Sequence, residues 1–278
     1  MSGVEWAIGA SILIAAFGLA IGSFLNVVAY RVPLGMSVVA PVSSCPGCHN
    51  PIEARDNVPV LSWLVLRGKC RHCAEPISPR YIVVEVITGV AFVAVALRFL
   101  PGVLVATSVT ALVSVALVLV AFLYLAAITV ALSAIDIDVQ RLPNKIVLPS
   151  YAVGGVLLGT AAIVGGGLEA IARAAASAGI LVAFYLLLAI IKPGGMGMGD
   201  VKLAGVLGLY LGFLGWAPLI AGTAGAFVLG GIFGAIVLVA RRGGRGIPFG
   251  PWMFAGAWVG IFAGDQLVGA YLTAVGLS

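Results

Sequence analysis

Residues 104–136 read LVATSVTALVSVALVLVAFLYLAAITVALSAID. The first 32 of these residues carry no charged side chain, and the run ends at Asp136. An apolar helix needs about 20 residues to cross a bilayer core of about 30 Å, so the stretch predicts a membrane helix long enough to tilt. A carboxylate is costly at membrane depth, and Asp136 therefore marks a candidate functional site.

The rest of the chain has the same apolar character. Its 278 residues are 62% hydrophobic and 9% charged, with a mean hydropathy of +1.19. A soluble domain has about 25% charged residues, so the composition excludes that class. Apolar runs predict an all-α polytopic membrane protein with about eight transmembrane helices, at residues 6–30, 82–100, 104–135, 146–164, 175–192, 201–216, 218–240 and 250–275.

One large polar segment interrupts the apolar runs. We therefore divide the chain into a first transmembrane helix at 1–30, a polar loop at 31–81 and a membrane bundle at 82–278. The loop holds two CxxC pairs that are separated by 21 residues. This spacing predicts a zinc site with four thiolate ligands: Cys45, Cys48, Cys70 and Cys73.

Several alternatives to a four-thiolate zinc site remain open for the polar loop. His49 and His72 stand beside the cysteine pairs and would allow a mixed ligand set. The pairs would also suit redox sites or two disulfides, although a reducing cytoplasm disfavours disulfides. With four protein ligands no coordination position is left for water, so zinc is expected to be structural.

The distribution of basic residues predicts the orientation. If both termini are outside, 13 of the 15 basic residues fall in cytoplasmic segments, and only Arg98 and Arg173 do not. Arg241, Arg242 and Arg245 are then an anchor at the inner face rather than a nucleic-acid site. The same layout places the C-terminal end of the third helix, which carries Asp136, and the N-terminal end of the sixth helix at the cytoplasmic face.

A second aspartate, Asp200, ends the motif GMGMGD at residues 195–200. We expect Gly197 and Gly199 to permit unusual backbone conformations and to leave room for a bound peptide. The simpler interpretation is a glycine-rich loop with an aspartate N-cap. Asp138 is an alternative to Asp136, and both acids could also belong to a solvated loop.

These motifs together resemble those of the bacterial type IV prepilin peptidases, which are GxGD-type intramembrane aspartic proteases. The resemblance is carried by the following stretches: GSFLNVVAYRVP at 22–33, both CxxC pairs with NVPVLSWLVLRGKCRHC at 57–73, ISPRYIVVE at 77–85, IDIDVQRLPN at 135–144 and GMGMGDVKLAG at 195–205. It implies that Asp136 and Asp200 are the catalytic pair.

The resemblance also implies the reaction and its setting. The expected enzyme of the inner membrane cleaves the basic leader from type IV prepilins, or from type II secretion pseudopilins, at the cytoplasmic face. It also N-methylates the new amino terminus with S-adenosylmethionine, for which no binding residues are predicted. Two carboxylates that share a site tend to hold a single proton, which suits acid–base hydrolysis of a peptide bond.

Other functions fit parts of the pattern. A proton-coupled transporter would use the two aspartates as a relay, although transporters tend to carry acids at the midplane within repeated halves. A zinc-dependent scaffold would need neither aspartate. Glu85, just inside the second helix, is expected to pair with Arg80 or Arg31. The sequence predicts no nucleic-acid partner and does not specify an oligomeric state.

Overall fold

The computed structural model describes residues 3–240 and 248–277. Their regular structure is helical apart from two isolated β-bridges, which confirms the predicted all-α fold. The three arginines of the predicted anchor, Arg241, Arg242 and Arg245, lie outside the described residues. Within those residues the α-helices are α1 (Gly3–Arg31), α2 (Leu61–Val65), α3 (Arg80–Leu104), α4 (Val109–Val139), α5 (Asn144–Gly165), α6 (Leu168–Ile191), α7 (Met198–Leu214), α8 (Trp216–Val239) and α9 (Gly250–Ala274).

Seven of the described helices are long and apolar enough to cross a membrane. The remaining long helix, α7, has 17 residues. At about 1.5 Å per residue it is about 25 Å long, which is less than the bilayer core. Ten of its residues are buried. The sequence predicted this helix as an ordinary span, whereas the structure surrounds it with protein.

The C-terminal end of α7 is capped by a basic side chain from α6. Arg173 donates from Nε to the carbonyl oxygen of Gly212 at 2.7 Å and from a terminal guanidinium nitrogen to that of Phe213 at 2.9 Å. The last carbonyls of a helix have no partner within the helix, and they are costly to bury unpaired. Arg173, one of the two basic residues that the orientation rule left unexplained, therefore stabilises the end of a short helix.

The position of Asp136 depends on the limits of α4. The helix begins at Val109 because the Ser108 side chain accepts the N–H of Ala111 at 3.1 Å. It continues to Val139 and ends at Gln140, which has a left-handed backbone and a φ of 52°. Asp136 therefore lies within the last turn of the helix, and its carbonyl accepts the N–H of Gln140.

The first compact unit comprises the described residues up to 105 together with 122–131. In it α1 packs closely on α3, because a Cβ atom at Gly22 would lie 2.7 Å from the Cα of Glu85. Small residues at such contacts let membrane helices approach each other. The loop between α1 and α3 carries all four cysteines.

The second unit comprises residues 106–121 and the described residues from 132 onward. Here α7 packs against α6, where a Cβ at Gly208 would lie 2.6 Å from the carbonyl oxygen of Ser177. Both Asp136 and Asp200 belong to this unit. The fold thus keeps the cysteines and the aspartates in separate units.

Candidate functional site

The two CxxC pairs form matching turns. In the first turn, the N–H of Cys45 donates to the carbonyl oxygen of Asn50, and the N–H of His49 donates to that of Cys45. In the second turn, the N–H of Cys70 donates to the carbonyl oxygen of Glu75, and the N–H of Ala74 donates to that of Cys70. An isolated β-bridge closes each turn, Ser44 with Pro51 and Lys69 with Pro76. The two turns therefore present their sulfur atoms in the same way.

The four cysteine sulfur atoms form one cluster. All of them lie within 4.8 Å of one another, with Cys45 Sγ 3.6 Å from Cys73 Sγ and Cys48 Sγ 3.9 Å from Cys70 Sγ. A tetrahedral zinc ion with Zn–S bonds of about 2.3 Å would separate its sulfur ligands by about 3.8 Å. The cluster therefore fits a metal ion.

Two alternatives to a four-thiolate site, the disulfides and the mixed cysteine and histidine ligand set, do not match this geometry. All four cysteines are free, and separations of 3.6 Å and 3.9 Å exceed the disulfide length of about 2.05 Å. Among the described residues, the cluster that could hold a metal contains neither histidine. The backbone N–H groups of Cys73 and His72 lower the pKa of the Cys70 thiol to about 6, whereas burial and the other three cysteines raise the pKa of the Cys73 thiol to about 12. The sulfur atoms thus resist carrying several negative charges together, and a bound cation would stabilise four thiolates.

The loop is fixed to α3 by the buried carboxylate of Glu85, for which the sequence suggested a different partner. Val60 has a φ of 62° and a ψ of −51° and forms a tight turn in which Leu61 donates to Pro59. A backbone of this kind costs on the order of 1–3 kcal/mol for a non-glycine residue. Glu85 Oε2 accepts the N–H of Val60 at 2.7 Å and stabilises the turn.

Sequence reasoning expected Glu85 to form an ion pair with Arg80 or Arg31. Arg31, one of the two expected partners, instead donates to the carbonyl oxygens of Ser37 at 3.0 Å and Pro41 at 2.8 Å. Arg31 and Glu85 therefore both hold the loop through its backbone groups. Contacts with backbone groups leave no signature in the sequence.

Asp136 is buried in the last turn of α4, with 5% of its surface exposed. Its Oδ2 accepts the N–H of Gly250, the first residue of α9, at 3.0 Å. A Cβ at Gly250 would lie 2.8 Å from the same oxygen. Asp138, the alternative candidate, is exposed. The start of α9 therefore holds Asp136 and leaves no room there for a side chain.

Asp200 is half-buried in the first turn of α7. Its Oδ2 accepts the N–H of Gly197 at 3.1 Å, so the Asp200 side chain pairs one of the free N–H groups at the start of α7. The N-cap itself is Gly197 rather than Asp200, so the predicted aspartate cap is displaced by three residues. Asp200 and Asp136 are close enough to interact electrostatically.

Gly197 and Gly199 of the GMGMGD motif do not adopt the unusual backbone conformations that the sequence suggested. Gly197 has a φ of −79°, and Gly199 lies inside α7, so neither uses the backbone freedom that the sequence suggested. The positive φ in this region belongs to Gly194, at 79°. A Cβ at Gly199 would lie 3.0 Å from Leu142 Cβ, so its small size is what matters.

Leu142 links the two aspartate positions. Its side chain lies against Gly199, next to Asp200, and its Cδ2 lies 3.4 Å from where a Cβ of Gly250 would be. Nearby, Lys202 donates to the Asn144 side chain at 3.1 Å. The LPN turn at 142–144 thus contacts the starts of both α7 and α9.

Sequence reasoning missed Gly250 and Tyr185. Phe249-Gly250-Pro251, a glycine before a helix-starting proline, was the available signal for the first. Tyr185 is 2% exposed, interacts electrostatically with Asp200, and has its ring 6.4 Å from that of Phe249. In the sequence, the only signal that Tyr185 belongs to the site was its polar aromatic side chain within an apolar helix.

Two family models match this sequence. The bacterial peptidase A24 N-terminal domain matches residues 16–99, and the type IV leader peptidase family matches residues 123–237. The match therefore extends well beyond residue 205, where the recognised motifs ended. No solved structure matches the chain.

Several proteins called prepilin leader peptidase/N-methyltransferase are similar to this chain. The protein of Aeromonas hydrophila is 36% identical over 94% of this chain and 93% of its own length. That of Neisseria gonorrhoeae is 34% identical, with 92% and 91% covered, and that of Bacillus subtilis (strain 168) is 32% identical, with 92% and 95% covered. These similarities do not support the transporter alternative. The chain belongs to the type IV leader peptidase family.

Proposed function

We propose that Asp136 and Asp200 are the catalytic pair of this leader peptidase. The observation that carries the proposal is their arrangement: two neighbouring carboxylates at the ends of α4 and α7, each held by one backbone N–H. Burial favours Asp136 over the exposed Asp138, because removal from water favours the sharing of one proton between two neighbouring carboxylates. Family membership supports both leader cleavage and N-methylation by this chain.

The geometry suits hydrolysis by an activated water molecule. One carboxylate takes a proton from a water molecule while the water oxygen bonds to the carbonyl carbon of the peptide. The other carboxyl group gives its proton to the carbonyl oxygen. The C–N bond of the resulting diol then breaks as the leaving nitrogen takes a proton from one carboxyl group. A hydroxyl of the diol returns its proton to the other carboxylate, which restores the singly protonated pair. The N–H groups of Gly197 and Gly250 keep the two carboxylates in position through these transfers.

The substrate that we propose is the N-terminal segment of a prepilin or pseudopilin. A direct test combines the purified protein with a synthetic prepilin N-terminus, with and without S-adenosylmethionine, and measures the masses of the products. We expect a shortened peptide in both reactions, and a further methyl group only where S-adenosylmethionine is present. An uncut peptide would contradict the peptidase, and a cut peptide that never gains a methyl group would contradict the methyltransferase.

S-adenosylmethionine is proposed as the methyl donor from the family alone. Among the described residues no strand leads into a glycine-rich turn and helix, the arrangement that binds adenosine cofactors in doubly wound folds. We therefore assign no residue to the donor.

The chain is a multi-pass protein of the inner membrane. We propose that α7 crosses the membrane as an eighth span enclosed by protein, that both termini therefore lie outside and that the aspartates face the cytoplasm, since most basic residues then lie inside. The two ends of α6 offer a test in a variant that lacks the native cysteines. A cysteine at Gly167, where a Cβ meets open space, should react with an impermeant thiol reagent in spheroplasts. One at Pro193 should react only after lysis, and the reverse pattern would contradict the orientation.

We propose that the metal held by the four cysteines is structural zinc. Metal analysis should find about one zinc per chain, because four thiolates complete a tetrahedral shell. Cys70→Ser should lose most of the zinc, whereas His49→Gln should retain it, since His49 is not part of the sulfur cluster. Protein purified without chelators that contains no zinc would contradict this assignment.

A further inference from the structure

The segment at residues 33–42 follows α1 directly and exposes apolar side chains. Leu34 is 60% exposed, Val39 is 86% exposed and Val42 is 71% exposed. The segment contains no regular helix or strand. In a polar loop such a concentration of exposed apolar surface marks a contact with a partner or a membrane.

Several backbone N–H and carbonyl groups of this segment already have hydrogen-bond partners within the protein. The Ser37 hydroxyl accepts the N–H groups of Val39 and Ala40, at 3.2 Å and 3.3 Å. Arg31, only 8% exposed, donates to two of the segment's carbonyl oxygens, those of Ser37 and Pro41. Its guanidinium group thus forms hydrogen bonds with the backbone and is little exposed to solvent. Backbone groups that already have partners lose less when they leave water.

Charge is distributed unevenly along the loop. Residues 32–52 contain no Asp, Glu, Lys or Arg, whereas residues 53–80 contain eight. The uncharged half is the one attached to α1. A basic prepilin leader would require acidic side chains, and this half offers none.

The end of α1 locates the segment relative to the bilayer. Phe24 and Tyr30 are exposed on this membrane helix, at 48% and 64%. Exposed aromatic residues such as Tyr30 concentrate at membrane–water interfaces. The segment begins three residues later, within about 10 Å of chain length.

We propose that residues 33–42 are an interfacial segment that binds the bilayer surface beside α1, with Val39 and Val42 among the acyl chains near the headgroups. The lipid contact of α1 continues directly into this surface. The segment anchors the cysteine loop to the membrane at one end, while the charged half remains in water.

The test uses full-length protein in phospholipid vesicles that also contain a synthetic prepilin. The photoreactive amino acid benzoylphenylalanine is introduced at Val39, at Phe24 as the lipid-facing control, or at Arg55 as the water-facing control. Arg55 lies in the charged half, and its side chain is 66% exposed. After illumination, the mass of each adduct identifies a phospholipid, a second copy of the chain or the prepilin.

Position 39 should yield phospholipid adducts at a level close to position 24 and about tenfold above position 55, as expected for a side chain at the acyl boundary. A lipid yield at position 39 no higher than at position 55, with position 24 still labelled, would overturn the proposal. A predominant adduct with a second copy or with the prepilin would overturn it as well.

Discussion

Asp136→Asn and Asp200→Asn should each reduce leader cleavage by on the order of 10³-fold or more, because an amide cannot exchange the proton that the pair must move. The amide keeps the shape of the carboxyl group, so the hydrogen bonds from Gly250 and Gly197 remain available. The measurement is the initial rate of cleavage of a synthetic prepilin by purified variants that elute like the parent protein and carry the same amount of zinc.

Asp138→Asn is the matched control, since the same change is made two residues away on an exposed side chain. It should keep most of the activity. If Asp138→Asn were inactive while Asp136→Asn cleaved normally, the assignment of the pair would be wrong, and burial would have been a misleading criterion.

Gly250→Ala should lower kcat for cleavage by about 100-fold, since a displacement of about 1 Å at a catalytic group can cost that much. The added Cβ would lie 2.8 Å from Asp136 Oδ2, and the carboxylate or the start of α9 must move. KM should change little, because Gly250 is proposed to position Asp136 rather than to bind the peptide. The measurement is a full kinetic comparison with the parent protein.

The control for Gly250→Ala is Gly269→Ala in the same helix. A Cβ at Gly269 meets nothing within 4 Å, so this change tests the general effect of alanine in α9. It should leave kcat unchanged. Equal kcat values for the parent and Gly250→Ala would show that the contact between Gly250 and Asp136 does not matter for cleavage.

Local features of the sequence predicted much of this protein. The number of long helices followed from the apolar runs, because the cost of moving a side chain into lipid depends mainly on that residue and accumulates along the segment. The four cysteines were likewise identified from two short motifs, since each CxxC turn brings its own two sulfur atoms together. The aspartates were found through motifs at residues 135–144 and 195–200.

The same local features gave wrong or incomplete details. Gly197 and Gly199 were expected to adopt unusual backbone conformations, yet neither does, and the small size of Gly199 lets Leu142 approach closely. Glu85 was expected to pair with Arg80 or Arg31, yet Arg31 donates to carbonyl oxygens of the loop and Glu85 accepts the N–H of Val60. In both cases the partner is an apolar side chain or a backbone group, which sequence patterns do not distinguish from its neighbours.

What the sequence by itself determined is the set of membrane helices, the cysteine cluster and the choice of candidate acids. Only the tertiary structure decided that Asp136 is buried while Asp138 is exposed, that α7 is enclosed by protein, and that Gly250 holds Asp136. The physical reason is the separation along the chain, since the hydrogen bond from Gly250 to Asp136 joins residues 114 positions apart. Hydropathy and motif spacing describe neighbours along the chain, whereas burial and hydrogen bonding at this site depend on which helix ends the folded chain brings together.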